Sequence, residues 1–199
     1  MRKLITILIA LTLVAPLMSV AQELPATRPT TQGSAEQMLK AYESLRSEPL
    51  LADKLSDKVY YQSWRAREKQ AEKDRTALAW RFFEYYPDDG RAGALLLDRW
   101  KALALTDPRG VMAELEQVIG RTPAVPARAE AMYVRAALNL MRMGGGTQAR
   151  GRVLVDEFIA AYPKDERGVE LLQVVAQLTK DPVEARAIEQ RIARDFPDS

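Results

Sequence analysis

The sequence predicts an all-α protein, an α-solenoid of about eight helices, and three observations support this. No convincing run of alternating apolar and polar residues suggests a strand. Aromatic residues stand directly before prolines at Tyr86, Tyr162 and Phe196. Repeats of roughly 34 to 47 residues are typical of stacked helix pairs. A series of prolines recurs at intervals within that range: Pro49, Pro87, Pro123, Pro163 and Pro197.

The aromatic-proline junctions predict where helices end. Residues 82–89, 158–165 and 192–199 share an apolar stretch, an aromatic residue, a proline and then polar residues. Proline disfavours the helical conformation at the residue before it and lacks a backbone donor, so each helix should stop at the aromatic residue. The Asp or Ser that follows is suited to cap the next helix.

Two Asp-Pro pairs predict where helices begin. Asp107-Pro108 and Asp181-Pro182 each precede a junction proline, and the interval from Pro108 to Pro123 equals the interval from Pro182 to Pro197. An Asp cap followed by proline at the first helical position is a favoured start, because that position has no intrahelical partner for an N–H.

Residues 1–21 have the pattern of a secretory signal peptide. Arg2 and Lys3 precede an apolar run over 4–14, and the segment ends in the small residues of Ser-Val-Ala at 19–21. The run is too short for an ordinary span, which needs roughly 20 apolar residues. We expect cleavage before Gln22 and a periplasmic or secreted protein without a stable membrane span; an uncleaved anchor is the alternative.

Residues 22–34 should form a flexible tether, since they are rich in Pro, Thr and Gln. A helical repeat domain over 35–199 follows, and Ser34 with Gln37 resembles a capping box at its start. The first helix should end near Arg46. A break is expected near Ser56-Asp57 within the next helical stretch. The apolar patterns place the remaining helices at 50–86, 92–105, 108–121, 127–143, 148–162, 167–178 and 182–196.

The composition narrows the possible chemistry. The chain has no cysteine and no histidine, which excludes disulfides, thiolate catalysis, histidine-based triads and the usual zinc sites. It has 29 basic and 27 acidic residues, and removal of Arg2 and Lys3 balances them. We therefore expect no nucleic-acid partner, no metal, no cofactor and no catalytic residue.

Several local patterns have a structural and a functional interpretation. The charged run 65–75, with Arg65, Lys69 and Lys73 at spacing four, should be a solvated, ion-paired helix face. The glycines at 144–146 follow a helix and lack a following lysine, so Thr147 should cap a helix-helix turn. Capping and solubility explain the acidic pairs best, with a carboxylate-dependent hydrolase as the alternative: Asp88-Asp89, Asp156-Glu157 and Asp165-Glu166. Tryptophans at helical spacing are expected in the core: Trp64, Trp80 and Trp100.

The junctions at 86–88, 162–164 and 196–198 resemble tetratricopeptide-like repeats, especially those of bacterial envelope proteins. Examples are the repeat subunit of the outer-membrane barrel-assembly machinery and the cell-division coordinator. The resemblance covers about 34–199 and implies a right-handed superhelix of helix pairs. A weaker resemblance is to the N-terminal helical region of exported thioredoxin-fold disulfide reductases, of which this chain would be a non-catalytic arm because it lacks Cys-x-x-Cys.

The resemblance implies a non-enzymatic scaffold that holds a peptide or protein partner of the cell envelope on its concave face. Exposed Tyr and Arg side chains on the first helix of each pair are plausible contacts. We expect Arg99, Tyr133 and Arg135 to bind the partner. In isolation the protein is expected to be a monomer or a weak dimer.

Overall fold

The computed structural model describes residues 34–45 and 49–197, and this part of the chain is all-α. The sequence predictions of an all-α fold and of about eight helices are confirmed. The predicted signal peptide and nearly all of the tether lie outside the described residues. A short 3₁₀ turn, Ala52–Lys54, precedes the second helix. The α-helices are α1 (Ala35–Ser44), α2 (Lys58–Tyr85), α3 (Ala92–Leu103), α4 (Pro108–Ile119), α5 (Arg128–Leu140), α6 (Gln148–Ala161), α7 (Arg167–Leu178) and α8 (Pro182–Asp195).

The three aromatic-proline junctions have the same backbone conformation. Tyr86, Tyr162 and Phe196 have φ/ψ angles of −130°/58°, −135°/67° and −135°/66°. The N–H of each donates to the carbonyl four residues earlier, which closes the last turn. These angles lie outside the helical region, as expected for a residue before proline. The junction is therefore a repeated structural unit as well as a repeated sequence.

The predicted helix starts are also confirmed. The Asp107 carboxylate accepts from the backbone N–H of Gly110, and Asp181 does the same from Val183. Thr147 caps α6 after the glycine turn. The break near Ser56-Asp57 is real, because Asp57 caps α2. These caps satisfy backbone donors that have no partner within the helix.

The helices form two layers within the unit that begins at Ala35. We call α1, α3, α5 and α7 the first layer, and α2, α4, α6 and α8 the second layer. Each helix packs against the next along the chain, and α3 also packs directly on α5, and α5 on α7. Over the described ranges, no contact of similar extent joins consecutive helices of the second layer. This is the contact pattern expected of stacked helix pairs; the right-handed superhelix stays a prediction.

Two neighbouring apolar clusters form the core. The first surrounds Phe82, Phe83 and the fully buried Trp100, whereas the second surrounds Phe158 and Leu172. Ile119 and Tyr133 pack against both clusters, so the core continues from one helix pair to the next. The prediction of a core tryptophan is confirmed for Trp100. Trp80 is partly buried against the first cluster, whereas Trp64 belongs to neither cluster.

The charged run on α2 differs in part from its prediction. Arg65, Lys69 and Lys73 are exposed, as expected of a solvated face. The expected ion pairs are absent: in the part of the chain that the structure describes, no pair within 4.0 Å involves these three residues. Arg65 instead lies over the ring of Tyr61, 5.8 Å from its centroid.

No helix among the described residues is both long and apolar enough to cross a membrane.

The last junction should be sensitive to the size of the residue at Gly168. A Cβ atom there would lie 2.8 Å from Cζ of the buried Phe196 and 3.2 Å from Cγ1 of Ile159. We expect Gly168→Val to lower the free energy of unfolding by about 1–3 kcal/mol, measured by urea denaturation, because the core would be overpacked. Gly90→Val is the matched control, since nothing lies within 4 Å of its Cβ position. Equal effects of the two substitutions would contradict the packing described for Phe196.

Candidate binding surface of the first layer

Arg99 joins the two layers instead of facing solvent. Its guanidinium donates to the Glu114 carboxylate from Nε at 2.9 Å and from Nη2 at 2.5 Å, and from Nη1 to the carbonyl of Thr76 at 2.7 Å. The Trp100 indole N–H donates to the same carboxylate at 3.1 Å. Arg99 thus reaches from α3 to α2 and α4, and its side chain is only 15% exposed.

Arg135 occupies the corresponding place one repeat later. It reaches from α5 to Glu116 of α4 and to Glu157 of α6, at 3.1 Å in each case. The expectation that Arg135 is exposed is wrong, because the residue is 8% exposed. Its Nε atom is buried without a hydrogen-bond partner. Both arginines therefore bridge consecutive helices of the second layer through a helix of the first.

Tyr133 joins two helices of the first layer. Its hydroxyl donates to the Glu170 carboxylate at 2.9 Å, which links α5 to α7. The Arg167 guanidinium lies 5.5 Å from the centroid of its ring. Burial, reinforced by the charge of Glu170, raises the pKa of Tyr133 well above its ordinary value. The phenol therefore stays neutral and remains a donor. Of the three predicted contact residues, Tyr133 alone bonds to another first-layer helix, and it is half-buried against both core clusters.

A repeated turn links the first-layer helices. Asp89 accepts from both the backbone N–H and the guanidinium of Arg91, which also pairs with Glu36 of α1 at 2.7 Å. Hydrogen bonds from Arg91 lower the pKa of Asp89 to about 2. The backbone N–H and the side chain of one arginine thus hold the carboxylate in its charged form.

The same arrangement recurs before α7. Arg167 donates to Asp165 from its backbone N–H, at 3.0 Å, and from its side chain, and its Nη1 atom pairs with Glu130 of α5 at 3.4 Å. Hydrogen bonds from the Arg167 side chain also lower the pKa of Asp165. Each Asp-x-Arg turn therefore fixes the start of one first-layer helix and connects it to the previous one.

The corresponding turn before α5 has no Asp–Arg ion pair. Val125 stands where the other two turns have Asp, and Ala127 stands where they have Arg. Val125 is buried at 7% exposure in the first core cluster. In this turn, burial of an apolar side chain replaces the ion pair.

Sequence reasoning missed the Asp-x-Arg turns, although a signal was present. Asp89 and Arg91 recur as Asp165 and Arg167, at the same interval that separates Pro87 from Pro163. Taken alone, Asp89 and Asp165 suggest helix caps or acid-base pairs. The arginine that recurs two residues after each aspartate is the signal that identifies the ion pair.

Exposed and half-buried residues of α3, α5 and α7 form a row across the first layer. We call this row the first-layer stripe; its residues recur at spacings of three or four along each helix, and all of them are exposed or half-buried. Small side chains, amides and four charged residues make up the row. Three of the charges are acidic and one is basic, so the row has a small acidic excess and lacks the basic excess that attracts nucleic acid. The stripe comprises Ala94, Asp98 and Lys101 of α3, Glu130, Tyr133 and Ala137 of α5, and Glu170, Gln173 and Gln177 of α7.

The acidic pairs have a structural role in these contacts. Asp156 pairs with Arg191 at 2.6 Å, and Glu157 with Arg135 and Arg150. A general acid at neutral pH needs a raised carboxyl pKa. The pKa values of Asp89 and Asp165 are shifted in the opposite direction.

Within the described residues, no group of three or more acidic side chains is placed to hold a metal ion.

The glycine run is a turn between α5 and α6, where Gly144 and Gly145 have positive φ angles of 60° and 88°. A Cβ atom on Gly144 would lie 2.7 Å from the carbonyl oxygen of Pro108. Both the backbone conformation and the close approach to α4 therefore explain a glycine at 144.

Comparisons of the chain with protein-family models, with curated proteins and with solved structures each return no match. The resemblance to tetratricopeptide-like repeats stays a prediction.

The Asp165 turn should give stability a specific pH dependence. Because the folded-state pKa of Asp165 is lowered, its contribution is present at neutral pH and is lost as the pH falls below the ordinary value of 3.8. We expect Asp165→Asn to lower the free energy of unfolding at pH 7 by about 1 kcal/mol. The difference from the unsubstituted protein should narrow progressively as the pH falls below 3.8, measured by urea denaturation at pH 7 and at the lowest pH at which the protein stays folded.

Asp88→Asn is the control for this measurement, since Asp88 is the exposed neighbour of the equivalent Asp89. It should leave stability within about 0.5 kcal/mol at both pH values. A difference for Asp165→Asn that does not change with pH would contradict the proposed role of the charged carboxylate.

Proposed function

We propose that the protein is an exported, non-enzymatic scaffold whose first-layer stripe binds a peptide or protein segment of a cell-envelope partner. The observation that supports this most is that exposed or half-buried positions on α3, α5 and α7 form one row across helices that pack side by side. An extended segment that crosses these helices would meet residues of all three.

The packing suggests that the stripe lies on the concave side. First-layer helices pack directly on one another, whereas the second-layer helices are joined through side chains such as Arg99 and Arg135. A stack of helix pairs curves toward the layer whose elements lie closer together, and solenoids commonly bind partners on that surface.

The chemistry of the stripe favours an uncharged or weakly basic segment, because the stripe has three acidic residues and one basic residue. Gln173 and Gln177 can donate and accept hydrogen bonds, which suits the peptide backbone of a ligand. Ala94 and Ala137 leave room for the side chains of the partner. Tyr133 supplies an amphipathic ring at the centre of the row, a residue type enriched at binding hot spots.

The three predicted contact residues thus have different proposed roles. Tyr133 is the one that we propose touches the partner. Arg99 and Arg135 act as positioning residues, because their guanidinium groups are occupied by carboxylates between the layers. Their loss would affect binding through the spacing of the helices.

Site-specific crosslinking should locate the binding surface. A photoreactive amino acid at Ala94, exposed on α3, is compared with the same residue at Ala113, exposed on α4 of the second layer. In intact cells, position 94 should crosslink to a defined partner that mass spectrometry identifies, and position 113 should not. A further variant, Ala94→Arg, should weaken capture of that partner at least about tenfold, and Ala113→Arg should not, since only the former places bulk in the stripe.

Equal crosslinking from both positions, or from position 113 alone, would contradict the assignment of the surface. Turnover in a panel of hydrolase assays, abolished by changing one acidic pair, would instead favour the hydrolase alternative.

A further inference from the structure

The sequence contains a single Asp-Gly pair, Asp89-Gly90, which lies in the turn before α3. An aspartate before glycine readily forms a cyclic succinimide, because glycine has no side chain to shield its backbone nitrogen. Gly90 is exposed, and nothing lies within 4 Å of the position that a Cβ atom would take. Its N–H makes no hydrogen bond in the part of the chain that the structure describes. The nitrogen of Gly90 is therefore accessible for this reaction.

The reaction at such a pair needs no reactant except water. The Gly90 nitrogen attacks the carboxyl carbon of the uncharged Asp89 side chain, a C–N bond forms, and the carboxyl OH leaves with the N–H proton as water. Water then adds to one of the two carbonyl groups of the succinimide ring. When the bond from the nitrogen to the main-chain carbonyl breaks, the chain runs through the former side-chain carboxyl carbon. The product is an isoaspartate, whose backbone is longer by a single carbon atom.

Arg91 restrains the carboxylate that would have to react. Its backbone N–H and its Nε atom both donate to Oδ1 of Asp89 at 2.9 Å, and its Nη2 atom donates to Oδ2 at 2.7 Å. A carboxylate held at both oxygens does not rotate freely. The same hydrogen bonds lower the pKa of Asp89 to about 2, so the uncharged form that reacts is scarce at neutral pH.

The second Asp-x-Arg turn provides a comparison within the same chain. Arg167 holds Asp165 by the same set of hydrogen bonds, but the residue between them is Glu166, whose side chain shields its nitrogen. Asparagine can form the same ring. The only asparagine of the sequence, Asn139, is 4% exposed and precedes a leucine. Asp89-Gly90 is thus the least hindered of these positions.

We propose that Asp89-Gly90 is a site of spontaneous isoaspartate formation and that the side chain of Arg91 slows it. In the isoaspartate the carboxylate is attached to a different carbon, so the donors of Arg91 lose their acceptor. The turn that fixes the start of α3, and connects it to α1 through Glu36, would then open. This modification acts on the fold and does not depend on what the first-layer stripe binds.

Ageing of the full chain tests the proposal. The protein and its variants are kept in warm neutral buffer for several weeks, and electron-transfer mass spectrometry of their peptides identifies isoaspartate by position. Arg91→Gln should raise the rate at position 89 at least about threefold, because two charge-assisted hydrogen bonds to the carboxylate are lost. Glu36→Gln is the matched control and should leave the rate unchanged, since it removes only the contact of Arg91 with α1. Gly90→Ala should form little isoaspartate, because the added methyl group fits the structure and shields the nitrogen.

Circular dichroism verifies that each variant is folded, and a second measurement needs no substitution. When the unsubstituted chain is unfolded in guanidinium chloride, the rate at Asp89 should rise at least about threefold, since its hydrogen bonds are lost, and Asp165 should react slowly in both states. An equal rate in the folded and unfolded chain, or in Arg91→Gln and the unsubstituted protein, would overturn the proposal. Isoaspartate that forms as fast at Asp165 as at Asp89 would also overturn it, as would an equal acceleration by Glu36→Gln.

Discussion

The stack of helices depends on one backbone constraint, which is that a helix is disfavoured at the residue before a proline. At Tyr86, Tyr162 and Phe196 the chain leaves the helix with nearly the same angles. The aromatic ring then packs back on the helix that it ends: Phe82 contacts Tyr86 with ring centroids 5.4 Å apart, and Phe158 contacts Tyr162 at 5.5 Å. Each junction therefore fixes where a second-layer helix ends, and those at Tyr86 and Tyr162 also fix the direction of the next helix.

Arginine side chains turn this series of helix pairs into a connected unit. Arg91 and Arg167 connect neighbouring first-layer helices, whereas Arg99 and Arg135 connect second-layer helices. Arginine suits both positions because its planar group can donate to a carboxylate with two nitrogens and to a further acceptor with the third. The exposed pair between Arg91 and Glu36 contributes little stability, so its main effect is to set the spacing between α1 and α3.

The sequence predicts the helices well and their side-chain contacts poorly, for physical reasons. Caps and proline breaks act within a few residues, so local patterns identify Asp107, Thr147 and Asp181. Ion pairs depend on which helices become neighbours, which local patterns do not determine. The sequence therefore places Arg135 at the surface, although its burial between α4 and α6 follows from the packing of three helices. The Val125 turn likewise has no local signal.

The central claim is that α3, α5 and α7 lie side by side in one layer, and a distance between spin labels tests it most directly. The chain has no cysteine, so Lys101→Cys and Gln177→Cys, both exposed, would carry the only labels. With α5 between them and adjacent helix axes roughly 8–10 Å apart, the axes of α3 and α7 should be separated by about 16–20 Å. A narrow distribution near that value supports the layered stack. A value near about 10 Å, which direct packing of α3 on α7 would give, or the absence of a defined distance would contradict it.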